Sequence, residues 1–411
     1  MFSYLGLLRR APALVGFGVL ACFSSSFGQT FFIATFGADL RAAFGLSNGG
    51  FGAVYSTATL LSALSLVWAG RLVDGMGLPR LARFNFLALA AACALLALAP
   101  AVPFLLVALY ALRLTGQGMA THIAVTTMAK RFTLGRGKAI GLAQLGFPLG
   151  EAVLPAFAVL LLGLAGWRAA WGLIAALVAL LLVPALHRLA AASPGGAHEA
   201  ATAAPAPSAT LGQVLHEPRF YLLLPGALCS SFVVTGIFFH QSHIVAERGW
   251  DPLVFAGLFA LYAAGSVASG LVAGALIDRF GAARTVLPAP LALALACALL
   301  AFWPTQTGAA AVMLTLGFAS GAQSTAFAAL WAERYGTAHL GAIRALTHAL
   351  TVFASALSPL LIGLAFDAGA GVRDTGLSLA LGVLAAATLL AAALRGGRDA
   401  AGFGGSRVRE G

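Results

Sequence analysis

The chain has 411 residues, of which 60% are hydrophobic and 9% charged, with a mean hydropathy of +0.94. A soluble domain carries about 25% charged residues, so the composition excludes a soluble protein and indicates a polytopic membrane protein. The net charge of +11 would suggest nucleic acid in a soluble chain, but here 19 of the 24 Lys and Arg fall on one side of the spans below. Four (Arg41, Arg168, Arg248, Arg373) fall on the other side, and Arg113 lies within a span. By the positive-inside rule both termini are expected in the cytoplasm, and no nucleic-acid partner is expected.

In chain order, apolar stretches of about 20 residues, the length that crosses a bilayer core, fall at 13–36, 49–69, 82–100, 103–128, 138–163 and 168–186. A second set falls at 219–244, 252–274, 284–303, 307–331, 340–366 and 375–394. The expected fold is an all-α polytopic membrane protein with twelve transmembrane helices. It divides into an N-terminal six-helix half (1–186), a cytoplasmic linker (187–218) and a C-terminal six-helix half with a short cytoplasmic tail (219–411). The linker is rich in Ala, Pro, Gly, Ser and Thr without a periodic apolar face, and reads as flexible. Cys22, Cys93, Cys229 and Cys297 all lie in apolar runs without metal-ligand spacing and read as small packing residues.

One stretch occurs twice. Gly70-Arg71-Leu72-Val73-Asp74-Gly75-Met76-Gly77-Leu78-Pro79-Arg80 returns as Gly274-Ala275-Leu276-Ile277-Asp278-Arg279-Phe280-Gly281-Ala282-Ala283-Arg284, displaced by 204 residues. Each copy lies between two apolar runs and reads as a tight cytoplasmic turn. Asp74 and Asp278 sit at helix C-termini, where the dipole disfavours a carboxylate, so each wants an outside partner.

These loops resemble the signature loop of the major facilitator superfamily, Gly-x-x-x-Asp-Arg/Lys-x-Gly-Arg followed by two basic residues, with Leu78-Pro79 and Ala282-Ala283 standing in the basic run before the final Arg. Gly70, Asp74, Gly77 and Arg80 match it in the first half, and Gly274, Asp278, Arg279, Gly281 and Arg284 in the second. The resemblance implies two parallel six-helix halves that rock about a site near the membrane midplane, with Asp74 holding the cytoplasmic side shut. In that family the fourth helix often carries Arg-x-x-Gln-Gly. Arg113-Leu114-Thr115-Gly116-Gln117-Gly118 is one residue out of register with it, which implies a role for Arg113 in proton coupling or substrate binding and makes Gln117 a second candidate.

Ionisable groups inside spans are costly and point to function by default. Arg113 lies about 15 Å below the start of its helix by helical rise, near mid-depth. Glu151 falls within about a turn of that depth on the next span. An Arg113–Glu151 pair reads either as a permanent structural bridge or as a coupling pair that opens when the carboxyl takes a proton. Gly146-Phe147-Pro148-Leu149-Gly150 before it is similar to the Gly-Pro-x-x-Gly-Gly signature of proton-linked drug antiporters, with Phe147 and Glu151 as departures.

Span eleven carries a polar stripe, Arg344, His348, Thr351 and Ser355. Gln144 and Glu151 lie 204 residues before His348 and Ser355, so both helices turn a polar face toward a cavity. Arg344 reads either as a cavity residue or as a snorkelling charge at the mouth. His240 and His243 read as cavity lining, as an outer gate or as plain interfacial histidines, and Gln29 as a cavity residue or a buried hydrogen-bonding group.

No Gly-x-x-x-x-Gly-Lys-Ser/Thr loop is present, so an ion gradient, of protons, is expected to drive transport, with no cofactor. The expected function is secondary active transport of a small organic solute, with an organic anion favoured by Arg113, Arg344 and the histidines. The general aspect resembles bacterial monocarboxylate and oxalate/formate-type porters. Proton-antiport multidrug efflux, favoured by the 28 Phe, and a non-transporting sensor of the same build are the alternatives. An integral-membrane enzyme would need a clustered acid/base set at one membrane face, which the sequence lacks. Expected partners are membrane lipid and a small-molecule substrate, with a monomeric protein in a bacterial inner membrane.

Overall fold

In hydrocarbon every backbone polar group must be satisfied within the protein, which leaves helices as the economical solution for apolar runs of this length. The computed structural model describes residues 4–132, 136–193, 209–336 and 339–395, apart from a few side chains in those ranges, Asp74 among them. The described residues are helical, with no strand among them. Nine of their helical segments are long and apolar enough to cross a bilayer, or ten when the bent pair Pro12–Gly28 and Thr30–Phe44 counts as one. The expected twelve are therefore not reproduced one for one. Gly137–Ala191 is a single 55-residue segment by this criterion, although it turns at Gly166 (φ 73°, ψ 166°), between the two spans expected at 138–163 and 168–186. Glycine tolerates that left-handed φ without a Cβ clash. Gln306–Tyr335 is one helix of 30 residues outside those nine.

The chain forms two compact units. The first comprises Met1–Ala201, Ile237–Ala260 and Pro359–Gly369. Its opening helix breaks at Gln29, which is extended (φ −84°, ψ 153°), and the two arms differ in direction by 46°. The break sits where the chain passes closest to the fourth span. A Cβ on Gly116 would lie 2.8 Å from both Cα and N of Gly28, so the two backbones meet where neither can carry a side chain. The same small-residue logic places Gly146 and Gly150 against Val19 and Ser26. Gly116→Ala is expected to destabilise the protein by about 1–3 kcal/mol, the usual cost of overpacking. A thermal melt of detergent-purified protein checks this, and an unchanged midpoint would count against the contact.

At the end of Asn48–Ala69 opposite the signature loop, Ser47 Oγ accepts from the Gly50 amide at 3.0 Å. The carboxylate of Asp367 accepts from the amides of Asn48 and Gly49 at 3.0 and 2.9 Å. A negative group is favoured at a helix N-terminus; this one comes from the far end of Leu340–Asp367. Arg168 does the opposite service, donating from Nη1 to the carbonyls of Ala97 and Ala99, both at 3.0 Å.

The second unit comprises Thr202–Gly236, Leu261–Ser358 and Ala370–Gly411. Part of the stretch expected as a featureless linker is ordered. Val183–Ala191 is helical, Thr210 and Gln213 form a capping box on Leu211–Leu215, and Ala209 and Val214 are buried with Phe220, Trp331 and Tyr335. The sequence offers no helical apolar stripe here because only two small anchors are used. Residues 194–208 lie outside the described ones. Arg334 Nη2 donates to Glu217 Oε1, and the Ala209 amide donates to the Tyr335 carbonyl at 2.8 Å. Burial works to lower the Arg334 guanidinium, and Glu217 with Tyr335 more than offsets it, so the group is held above its usual value. Cys22, Cys93, Cys229 and Cys297 are free and buried.

Candidate functional site

In the first unit the break at Gln29 leaves carbonyls of the preceding turn without helical partners, and Arg113 takes one of them. Its Nη1 donates to Gly28 O at 3.2 Å and to Thr30 Oγ1 at 3.4 Å, and its Cζ lies 5.1 Å from the ring centroid of Tyr55. The Tyr55 hydroxyl donates to Thr30 Oγ1 at 2.8 Å. Arg113 is 2% exposed and begins a π-helical segment, Arg113–Ala120, a distortion that recurs at functional sites. Nε of Arg113 has no partner among the described residues. The guanidinium is thus held by a carbonyl, a hydroxyl and an aromatic face, which desolvate and orient the charge without neutralising it.

The sequence reading paired Arg113 with Glu151, and the structure does not bring them together: no ion pair between them is present among the described residues. The reason is local, since the broken helix presents Gly28 O and Thr30 to Arg113. Glu151 is half-buried, one residue beyond the Gly150 contact with Ser26, and makes no hydrogen bond to a described side chain. Gln29 and Gln117 are half-buried beside the Gly28 contact, and Gln144 is exposed.

His240 does not line a cavity. It is 0% exposed, its Nε2 donates to Pro359 O at 2.9 Å, and its ring meets those of Phe239 and Phe366 at 5.0 and 5.2 Å. His243 pairs with Glu247 at 3.4 Å. The first unit also holds an apolar cavity of about 420 Å³ whose lining includes Val159, Leu162, Val245, Trp250 and Phe255.

In the second unit Arg344 and His348 do meet at one cavity, of about 320 Å³. One turn apart on Leu340–Asp367, they face it with Thr347 and Thr351. Ser320, Gln323, Ser324 and Trp331 come from Gln306–Tyr335, and Ser230 and Ser231 from Pro218–Phe239. The wall is cross-braced. Tyr262 OH donates to Ser320 Oγ at 3.2 Å, Ser231 Oγ donates to Thr351 O at 3.1 Å, and Gln323 Nε2 donates to the carbonyls of Gly226 and Ala227, both at 3.1 Å. Arg344 and His348 are exposed to the cavity, and among the described residues no acidic side chain lines it. Ser355 is buried farther along the helix, donating to Val352 O at 2.8 Å. Such a cavity offers one fixed positive charge, hydroxyl donors and the aromatic side chains of Phe327 and Trp331, a set suited to a small organic anion. The sequence reading missed the contribution of Gln306–Tyr335. Ser320, Gln323, Ser324, Phe327 and Trp331 follow helical spacing, but Gly116 and Met119 stand 204 residues before Ser320 and Gln323, so a search guided by the repeat passes over them. Among the described residues no cluster suits a metal ion.

The two signature loops are anchored differently. In the first, His122 Nε2 donates to Gly70 O at 3.2 Å and Lys130 Nζ to Val73 O at 3.4 Å. The Asp74 side chain lies outside the described ones, Gly77 precedes Leu78–Leu98 in an extended conformation, and Arg80 is exposed. In the second, Gly281 has φ 81°, and the following Ala282 amide donates to both carboxylate oxygens of Glu333, at 2.9 and 2.8 Å. Asp278 and Arg279 are exposed, as is Arg284, and Gly274 is half-buried. The Arg279 guanidinium lies 5.0 Å over the Phe280 ring. The carboxylate that meets this loop's backbone is thus Glu333, from Gln306–Tyr335.

The profile of the Major Facilitator Superfamily matches residues 18–359. No curated protein matches the chain. Among solved structures, a bacterial homolog to the human lysosomal transporter Spinster, inward-facing and unoccupied, is similar at 16% identity and TM-score 0.73, over 94% of this chain and 98% of that one. The same homolog in an occupied state gives 18% identity and TM-score 0.71, over 94% and 96%. A mutant of the nucleoside transporter NupG gives 12% and 0.70, over 93% and 99%. At these identities the likeness is one of fold.

Proposed function

This chain belongs to the Major Facilitator Superfamily, and from that premise we propose that it is a secondary active transporter, not an enzyme, which moves a small organic anion by alternating access coupled to protons. The observation that carries the reading is the cavity of the second unit, where Arg344 and His348 stand among hydroxyl groups with no carboxylate among the described lining residues. An anion entering it gains a charge-assisted hydrogen bond without displacing an internal acidic partner. Glu151 is the proton carrier: a carboxyl at mid-depth is costly when charged and is relieved by taking up a proton. The charge asymmetry supports a bacterial inner membrane location with both termini cytoplasmic, and the protein works as a monomer.

A thermal-shift screen of the purified chain against organic acids, sugars, amino acids and cationic drugs tests the substrate class. A ligand at a hundredfold its Kd stabilises the fold by about 2.7 kcal/mol. Stabilisation by organic acids, followed by their pH-gradient-driven flux in proteoliposomes, is expected. Stabilisation by cationic drugs alone would favour multidrug efflux, the second reading, which the apolar cavity around Trp250 and Phe255 supports.

A further inference from the structure

The two signature loops each overlie a groove, and the grooves repeat. In the first unit a cavity of about 480 Å³ is lined by Leu72, Met76, Arg80, Arg83, Phe84 and Leu87. In the second unit a cavity of about 310 Å³ includes Leu276, Phe280, Arg284 and Pro288 in its lining. Leu72 and Leu276, Met76 and Phe280, Arg80 and Arg284, Phe84 and Pro288 are each 204 residues apart. The same concavity, with an arginine at the same place, therefore occurs in both halves of the repeat, although the apolar side chains have diverged.

The floors of both grooves face outward: Phe84 is 61% exposed, and Leu87, Leu276 and Phe280 are exposed as well. Large apolar groups exposed on a membrane helix belong to the lipid-facing surface. Arg80, Arg83 and Arg284 are exposed and have no acidic partner among the described residues. An apolar furrow with an unneutralised guanidinium at its rim matches a molecule with a hydrocarbon chain joined to a phosphate, since basic pockets between membrane helices take anionic head groups and arginine binds phosphate through paired donors. Snorkelling alone explains an arginine at a membrane edge, but it does not explain a concave floor reproduced at the same offset.

We propose that each groove is a binding site for one anionic phospholipid, its phosphate on Arg80 and Arg83 in the first unit and on Arg284 in the second, with an acyl chain along the apolar floor. The site is independent of the transported solute.

The full chain is reconstituted in phosphatidylcholine vesicles containing a minor fraction of phosphatidylglycerol, released into mild detergent, and its retained lipids are counted by native mass spectrometry. Phosphatidylglycerol is expected to be enriched over phosphatidylcholine. Each arginine removed is expected to lower the enrichment at its groove about fivefold, hence about 25-fold for Arg80→Ala with Arg83→Ala and about fivefold for Arg284→Ala. Arg80→Lys with Arg83→Lys keeps the charge and most of the enrichment, which separates recognition from misfolding. Leu72→Trp fills the first groove while sparing its arginines, and is expected to lose phosphatidylglycerol there. Equal retention of the two lipids by the unaltered protein, or unchanged enrichment in the alanine variants, overturns the proposal. So does full retention in Leu72→Trp that is competed away by inorganic phosphate, which would mark a bare anion site.

Discussion

Glu151→Gln is expected to abolish pH-gradient-driven accumulation while leaving substrate exchange in place. In proteoliposomes with a one-unit pH gradient, coupling to one proton supports about tenfold accumulation, and the variant should stay at the equilibrium ratio of about one. Glu151 sits half-buried on Gly146–Leu177 with no ion pair among the described residues, so its charged form is poorly compensated and a neutral form would relieve that cost. Glutamine imitates that neutral form in shape and keeps it permanently, so binding and exchange survive and the proton's contribution is lost. Accumulation at the unaltered level in Glu151→Gln would falsify the coupling role. Because Arg113 bonds to Gly28 and Thr30 instead of Glu151, the effects of Arg113→Ala and Glu151→Gln on stability should add within about 0.5 kcal/mol; a strong departure would reveal a coupling through shared neighbours.

Arg344→Ala is expected to weaken binding of an organic anion about 10- to 100-fold, the factor that corresponds to losing a hydrogen bond to a charged group. A neutral analogue should bind as before. Arg344→Lys should fall between, since an ammonium keeps the charge and loses the paired donors. Titrations followed by thermal stability or intrinsic Trp331 fluorescence provide the affinity. Equal loss for the anion and its neutral analogue would mean that Arg344 shapes the cavity without reading charge, and no loss at all would place the anion elsewhere.

Hydropathy and the repeat displaced by 204 residues were sufficient to read the all-helical membrane fold, because length and apolarity are what a bilayer selects. They also read the stripe that brings Arg344 and His348 to one cavity, since helical periodicity fixes which residues share a face. They failed where the answer depended on azimuth and on irregular backbone. Counting helical rise puts Arg113 and Glu151 at similar expected depth, but depth says nothing about which side of a helix faces which neighbour. The break at Gln29, which gives Arg113 its partners, lies in a run whose composition allows an unbroken helix. His240 looked available because a polar residue near a helix end usually meets water; Pro359, which lacks an amide proton but offers a carbonyl, gives it a buried partner instead. The contact of Glu333 with the Ala282 amide in the second loop likewise depends on irregular backbone, the positive φ of Gly281.

The carboxylate of Asp367 on the amides of Asn48 and Gly49 joins residues 319 and 318 positions apart. At a synthesis rate of roughly 5–20 residues per second, the start of that helix waits roughly 16 to 64 s for its partner to leave the ribosome. During that interval Gly49 and Gly52, whose lack of side chains admits Leu364 and Pro359, border an unfilled furrow at the membrane edge. The first unit is therefore a late product of translation despite holding the N-terminus, and a chain arrested before residue 359 would expose that furrow to lipid, to chaperones or to the quality-control proteases of the membrane.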